Sequence, residues 1–142
     1  MARGVFEKLL EEAGLTGVIE VDSAGTYAYR AGNPSDSRAI AAAAKRGYDL
    51  MRHRARRLNA SDFEKFDYIL AMDYENLQDM QAIATPGTEG KLRLFMDFAR
   101  IPGQPEVPDP YYGGGGGFER VLDLVEDAAR GLLAHIRGQH GL

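Results

Sequence analysis

The sequence predicts an α/β fold in which a parallel sheet lies between two layers of helices. Two observations predict it. Amphipathic helical segments alternate with short apolar runs of strand length, and loops with polar residues or glycine follow those runs. In folds of this class the ligand site lies at the carboxyl ends of the strands. Because no repeat or linker divides the chain, we expect a single domain over residues 1–142.

The first part of the chain predicts two helices with one strand between them. In ARGVFEKLLEEAG apolar residues recur at helical spacing, and Gly14 is expected to end the helix. The stretch VIEVDSAGT predicts a strand through about Val21 and a loop over residues 23–26. A second helix is predicted in SDSRAIAAAAKRG, with Ser35 as its N-cap and Gly47 after its end.

The second part predicts a strand, a helix, another strand and a long final helix. Ser61 and Glu64 have the spacing of a capping box for a short helix, SDFEKF, before the strand DYILAM. Asp73 is the expected N-cap of the helix YENLQDMQAI, and KLRLF predicts the next strand. A long loop is expected from Met96 to Gly117, followed by an amphipathic helix from about Phe118 to Arg137.

Composition excludes several classes of protein. The net charge of -4 argues against a general nucleic-acid binder, and no apolar run is long enough to cross a bilayer. The N-terminus lacks the layout of a signal peptide, so we expect a cytoplasmic protein without membrane contact. Cysteine is absent, which removes disulfides, thiolate metal sites and thiol nucleophiles from these residues. We expect neither a metal nor a cofactor.

One short stretch, VPDPYY, suggests acid–base chemistry. Pro108 and Pro110 flank Asp109 and keep the backbone extended and stiff, with Tyr111 and Tyr112 directly after it. An aspartate that acts as a general acid near neutral pH needs its pKa raised by burial or by nearby negative charge. The tyrosines could provide an apolar wall for it. The tripeptide alone is more typical of a solvated turn than of a general acid.

Three stretches together carry a family resemblance. VDSAGT, FDYILAMDYENL and DPYYG followed by FERV, in this order, resemble the low molecular weight protein tyrosine phosphatases over nearly the whole chain. The resemblance implies a three-layer, flavodoxin-like fold with a doubly wound parallel sheet. It also implies a nucleophilic cysteine in a phosphate-binding loop of pattern C-x-x-x-x-x-R-S, just before the first helix. Arg3 stands where the family usually has glutamate.

The cysteine loop of the family has no counterpart in this sequence. By the resemblance, that loop and the strand leading into it would lie before Met1, so we expect the first strand of the sheet to be missing and the chain to be inactive as supplied. The segments VIEV and DYILAM would then lack their shared neighbour. Exposed strand edges predict poor stability or a homodimer.

The resemblance assigns roles to particular residues. Asp109 is the general acid that protonates the leaving phenolate and then activates water. Tyr111 and Tyr112 flank the substrate ring, and Tyr29 forms the opposite wall, where the family usually has tryptophan. The implied partner is a phosphotyrosine protein or a small aryl phosphate.

Three further residues match supporting positions of the family. Ser23 and His53 correspond to residues that brace the phosphate loop, and Asp73 corresponds to one that orients or supports the acid loop. Simpler interpretations stay open: His53 as a surface histidine, and Asp73 as a helix cap only. The arginine run around His53 is interpreted as a solvated face or as an attractor for anionic substrates; it comprises Arg52, Arg54, Arg56 and Arg57.

Other functions are possible on the same fold. A protein arginine phosphatase or an arsenate reductase would share the architecture, but the second tyrosine of DPYY suits an aromatic phosphoester better. A non-catalytic binding protein that begins at Met1 is the alternative from another class.

Overall fold

The chain begins with helix α1, Ala2–Ala13, which ends as predicted at Gly14. Gly14 adopts a left-handed conformation with φ of 71°, and its N–H donates to carbonyls of the last turn. The structure is a computed structural model, and it describes residues 1–26, 37–54, 56–108 and 117–142.

The second and third helices are α2, Ser37–Ala44, and α3, Ala60–Lys65. The N-cap predicted for α2, Ser35, lies outside the described residues. The capping box predicted for α3 at Ser61 and Glu64 is wrong. Asn59 is the N-cap, because its side chain accepts from the Ser61 N–H while the Asp62 carboxylate accepts from the Asn59 N–H.

A β–α–β unit forms the centre of the described structure. Strand β1, Ile69–Ala71, is followed by α4, Tyr74–Ile83, and by β2, Leu92–Leu94. The two strands pair in parallel, as predicted, with Ile69 opposite Leu92. A short 3₁₀ helix, Glu89–Lys91, leads into β2.

The chain closes with a 3₁₀ helix, Phe95–Phe98, and the long helix α5, Gly117–His140. Helix α5 extends three residues beyond its predicted end and buries an apolar stripe along its length. Within the described ranges, no helix is both long and apolar enough to span a membrane.

The two faces of β1 pack against different groups of helices. Leu70 packs on the apolar cluster formed largely by α1 and α5. Ile69 and Ala71 belong to a second cluster, with Phe63 of α3 and Met80 of α4. Helices therefore cover both faces of the sheet, which confirms the predicted α/β architecture.

The strand predicted in VIEVDSAGT is not formed. Among the described residues the only bridge from this segment is the isolated one between Gly25 and Arg57. Ile19 and Val21 still pack against the helical cluster, whereas Val18 is 61% exposed. A strand requires a partner for its ladder of hydrogen bonds. This segment has apolar packing without such a ladder.

Candidate functional site

A large cavity lies beside β1. Its volume is about 870 Å³, and its walls come from the start of α1, residues 18–26, residues 66–72 and the C-terminal half of α5. Ser23 and Asn76 both line it, so the loop after VIEV and the start of α4 after DYILAM meet at one site, as predicted from the carboxyl-end rule. The third segment expected there, DPYY, lies outside the described residues.

The N-terminus of α1 opens into this cavity. Met1, Ala2 and Arg3 line it, and no side chain caps the first turn of the helix. The free N–H groups of a first turn, together with the helix dipole, favour an anion at such a position. Burial lowers the pKa of the Met1 amino group.

His53 is buried at the junction between α1 and the loop after α2. Its Nε2 lies 2.7 Å from Oε1 of Glu7, on α1. The other oxygen of Glu7 accepts from Arg3 Nε at 3.4 Å. A Cβ on Gly4 would lie 3.6 Å from His53 Cε1, so the helix packs closely on the ring. The interpretation of His53 as a surface histidine is therefore wrong.

Asp22 anchors the segment that carries Ser23. Its Oδ1 accepts from the Ser23 N–H at 2.8 Å and from Arg3 at 3.3 Å, while Oδ2 accepts from Arg56 Nε at 3.1 Å. One carboxylate thus joins α1 and the arginine run to the exposed loop at Ser23. The contacts of Asp22 with Arg3, with Arg56 and with the Ser23 backbone therefore fix the position of this part of the cavity wall.

The arginine run is not uniformly solvated. Arg56 donates to both carboxylate oxygens of Asp62 at 3.0 Å, whereas the side chain of Arg52 is 91% exposed. Burial by itself would raise the pKa of Asp62. The hydrogen bonds from Arg56 and from the Asn59 N–H, with the charges of Arg56 and Lys65, outweigh burial and lower that pKa. Asp62 is consequently a fixed anion that orients Arg56.

Asp73 caps α4, as predicted, by accepting from the Asn76 N–H at 2.7 Å. Next to it, the Met72 carbonyl accepts from the Val107 N–H at 2.8 Å. The Tyr74 N–H donates to Glu106 at 2.9 Å. These contacts tie the chain just before DPYY to the carboxyl end of β1.

Four predicted site residues lie outside the described residues: Tyr29, Asp109, Tyr111 and Tyr112. Of the other three, Ser23 and His53 line the cavity, and Asp73 stands at the carboxyl end of β1.

Sequence reasoning missed two polar residues of the site, Glu7 and Asp22. Arg3 and Glu7 have i,i+4 spacing, which signals an ion pair on α1. The contact of Glu7 with His53, by contrast, spans 46 positions and has no local signal.

The comparisons with known proteins agree on one family. The model of the low molecular weight phosphotyrosine protein phosphatases matches residues 1–141. A low molecular weight protein-tyrosine-phosphatase of Streptomyces coelicolor is 42% identical over 142 residues, which cover 98% of this chain and 86% of that protein. The low molecular weight phosphotyrosine protein phosphatase of Schizosaccharomyces pombe is 41% identical, over 96% of this chain and 87% of its own length.

A solved structure shows the same architecture. The protein tyrosine phosphatase of Entamoeba histolytica, crystallised with Hepes in its active site, superimposes with a TM-score of 0.89 at 38% identity, over 99% of this chain and 88% of that one. The family model covers almost every residue, and the relatives match in both sequence and fold. The chain belongs to the low molecular weight phosphotyrosine protein phosphatase family.

Proposed function

We propose that this chain provides the acid, the substrate walls and the supporting residues of a phosphotyrosine phosphatase that works through a phosphocysteine intermediate. The observation that carries the proposal is the meeting of three features at one cavity: the uncapped start of α1, the Ser23 loop and buried His53. They lie at the end of the sheet where folds of this class bind ligands.

The part of the cavity at the start of α1 suits a tetrahedral dianion. First-turn amides of α1 favour anionic oxygens, and Arg3 lies on the same lining. The relative from Entamoeba histolytica holds Hepes in its active site, and Hepes ends in a sulfonate, which is tetrahedral and anionic like phosphate. This likeness supports a phosphate monoester as the substrate.

Asp109 is the proposed proton donor. Phenolate is a poor leaving group because its conjugate acid has a pKa of about 10. A thiolate attacks phosphorus, the bond from phosphorus to the phenolic oxygen breaks, and the Asp109 carboxyl passes its proton to that oxygen. The resulting carboxylate then takes a proton from water as the water displaces the sulfur. The Val107 N–H donates a hydrogen bond to the Met72 carbonyl. Residue 107, two positions before Asp109 in the sequence, therefore lies at the carboxyl end of β1.

The remaining roles follow from the family. Ser23 and His53 brace the phosphate loop, and Asp73 supports the acid loop while it caps α4. Tyr29, Tyr111 and Tyr112 enclose the aromatic ring of the substrate. Glu7 and Asp22 fix the positions of His53 and of the Ser23 segment through the contacts described above.

The thiolate must come from outside these residues, since the chain contains no cysteine. We therefore propose that the 142-residue chain alone does not turn over phosphate esters. An arginine phosphatase or arsenate reductase activity is not favoured, because the relatives are tyrosine phosphatases.

The role of Asp109 can be tested in a version extended at Met1 by a segment that contains C-x-x-x-x-x-R-S. Asp109→Asn should lower hydrolysis of phenyl phosphate by about a hundredfold or more. The same substitution should have a smaller effect on p-nitrophenyl phosphate, because p-nitrophenolate is a better leaving group and depends less on protonation. Asp79→Asn, on α4 and outside the cavity lining, is the matched control. An equal loss with both esters, or no loss, would exclude Asp109 as the acid.

A further inference from the structure

We propose that Glu106 is a positioning residue for the acid Asp109. Its side chain holds the residues just ahead of Pro108 against the first turn of α4, and we call these residues, 104–107, the approach segment. The inference rests on the proposed function, because a positioning role requires that Asp109 is the acid. It is carried by hydrogen bonds between described residues.

The carboxylate of Glu106 joins the approach segment to the start of α4. Its Oε2 accepts from the Tyr74 N–H at 2.9 Å, and Tyr74 is the first residue of that helix. The N–H groups of a first turn have no partner within the helix, and the helix dipole favours a negative charge beside them. Hydrogen bonds of this kind to an ionised acceptor are stronger than those between neutral groups. A carboxylate at position 106 is therefore well suited to hold the approach segment on α4.

Asp73 does not duplicate this contact. As the N-cap of α4 it accepts from the Asn76 N–H at 2.7 Å, two residues further along the helix than Tyr74. Asp73 and Glu106 thus bind different donors of the same first turn. Of these two carboxylates, only that of Glu106 belongs to the approach segment. Capping of the helix and attachment of the approach segment can therefore be separated by substitution.

Two further hydrogen bonds fix the backbone of the approach segment. The Val107 N–H donates to the Met72 carbonyl at 2.8 Å, and the side-chain amide of Gln104 donates to the Glu106 carbonyl at 2.8 Å. Residues 106 and 107 are consequently held at two neighbouring points, at the end of β1 and at the start of α4. Both the position and the direction of the backbone are set there.

Little conformational freedom separates this point from the acid. Two residues, from Val107 to Asp109, span at most about 7 Å. Pro108 has a fixed φ, and Pro110 restricts the residue before it to extended backbone. A shift at Glu106 would therefore be passed on to Asp109 with little rotation between them to absorb it. Misplacement of a reacting group by about 1 Å can lower a rate about a hundredfold.

A second carboxylate holds the far end of the same loop and provides a matched control. Oδ2 of Asp127, on α5, accepts from the N–H groups of Arg100 at 2.9 Å and of Ile101 at 3.0 Å. Asp127 and Glu106 are both half-buried, and each accepts from the backbone of another segment. The donors to Asp127 precede Asp109 by nine and eight residues. Loss of the Asp127 carboxylate should therefore lower stability without displacing the acid.

The experiment compares Glu106→Ala, Glu106→Gln and Asp127→Ala in the version extended at Met1 by the C-x-x-x-x-x-R-S segment. Values of kcat and KM are measured with phenyl phosphate and with p-nitrophenyl phosphate, whose leaving group depends less on the acid. Asp109→Asn is measured in parallel. In the unmodified 142-residue chain, hydrogen–deuterium exchange of the Tyr74 and Asn76 amides is followed by NMR for the same variants.

We expect Glu106→Ala to lower kcat about tenfold or more for phenyl phosphate and less than about threefold for p-nitrophenyl phosphate, with KM within about twofold for both. Glu106→Gln keeps an acceptor oxygen and should stay within about threefold of wild type. Asp127→Ala should leave the ratio of the two kcat values unchanged. The Tyr74 amide should exchange about tenfold faster in Glu106→Ala, with the Asn76 amide unchanged.

Three outcomes would overturn the positioning role by itself. Glu106→Ala and Asp127→Ala could change the ratio of the two kcat values equally, which would mean general destabilisation. Exchange of the Tyr74 amide could be unchanged in Glu106→Ala, which would mean that the hydrogen bond is not formed in solution. Glu106→Gln could be as impaired as Glu106→Ala, which would mean that the charge acts and not the hydrogen bond.

The parallel Asp109→Asn variant distinguishes failure of this inference from failure of the proposed function. A selective loss with phenyl phosphate in Asp109→Asn, together with an unimpaired Glu106→Ala protein, would overturn the inference and leave the proposed acid in place. No selective loss in Asp109→Asn would refute the proposed acid, and the positioning role of Glu106 would be refuted with it.

Discussion

His53 Nε2 lies 2.7 Å from Glu7 Oε1, and this contact joins a buried imidazole to the second turn of α1. The carboxylate that meets His53 lies one helical turn beyond Arg3. Arg3 then bridges Glu7 and Asp22. The start of α1 is thus held to both walls of the cavity by side-chain contacts.

Replacing Glu7 by glutamine should destabilise the protein. The charge-assisted hydrogen bond to His53 is lost, and because the Glu7 side chain is 41% exposed we expect a modest cost of about 1 kcal/mol. Urea unfolding at neutral pH measures it. Glu11→Gln, an exposed site on the same helix, is the control and should change stability by less than about 0.5 kcal/mol. Equal effects at the two sites would mean that the contact contributes nothing.

Two glycines of α5 should respond in opposite directions to alanine. A Cβ on Gly131 would lie 1.8 Å from the Phe98 carbonyl oxygen, so backbone must move, whereas a Cβ on Gly138 would meet nothing within 4 Å. Gly131→Ala should cost about 2 to 3 kcal/mol, and Gly138→Ala should stabilise by about 0.5 to 1 kcal/mol. Thermal and urea unfolding compare them. A stabilised Gly131→Ala protein would contradict the described packing of α5 on residues 95–98.

Acid should weaken the fold partly through Asp62. Its pKa is lowered in the folded state, so its contribution is fully present above the ordinary value of 3.8 and is lost as the pH falls through the lower folded value. Asp62→Asn should be less stable at neutral pH and should lose less stability on acidification below about pH 4. The free energy of unfolding against pH measures both effects, with Glu64→Gln on the same helix as the control. Parallel acid limbs for wild type and Asp62→Asn would refute this assignment.

Raising the pH above about 10 should destabilise the folded protein through ionisation of Tyr48. Burial, followed by the hydrogen bond to Glu126 and the charge of that residue, raises the pKa of Tyr48 to about 12. A raised pKa means that its contribution is complete below the ordinary value of 10.0 and declines as the pH rises toward about 12. Tyr48→Phe should therefore remove that decline. Unfolding free energies across this range test it, and Tyr74→Phe, at a half-exposed site, should leave the decline unchanged.

The elements that were predictable are those with local causes. Gly14 ends α1 and Asp73 begins α4, because each acts on backbone groups within a few residues. The cap of α3 was misplaced by two residues, since Asn59, Ser61 and Glu64 all fit a capping pattern and only the backbone at Asn59 decides between them.

Elements that depend on distant partners were less predictable. The sequence of residues 18–21 is typical of a strand, but a strand needs a neighbour, and none is present among the described residues. The contacts of the candidate site also depend on residues that are distant in the sequence. Ser23 and His53 were identified by family resemblance, whereas Glu7 could not be assigned to His53 because 46 positions separate them.

The most direct test of the central claim is steady-state hydrolysis of phosphotyrosine by the unmodified 142-residue chain beside the version extended by a C-x-x-x-x-x-R-S segment. The account predicts release of phosphate by the extended protein only, and its loss when the added cysteine becomes serine. Phosphate release by the unmodified chain, which contains no cysteine, would contradict it.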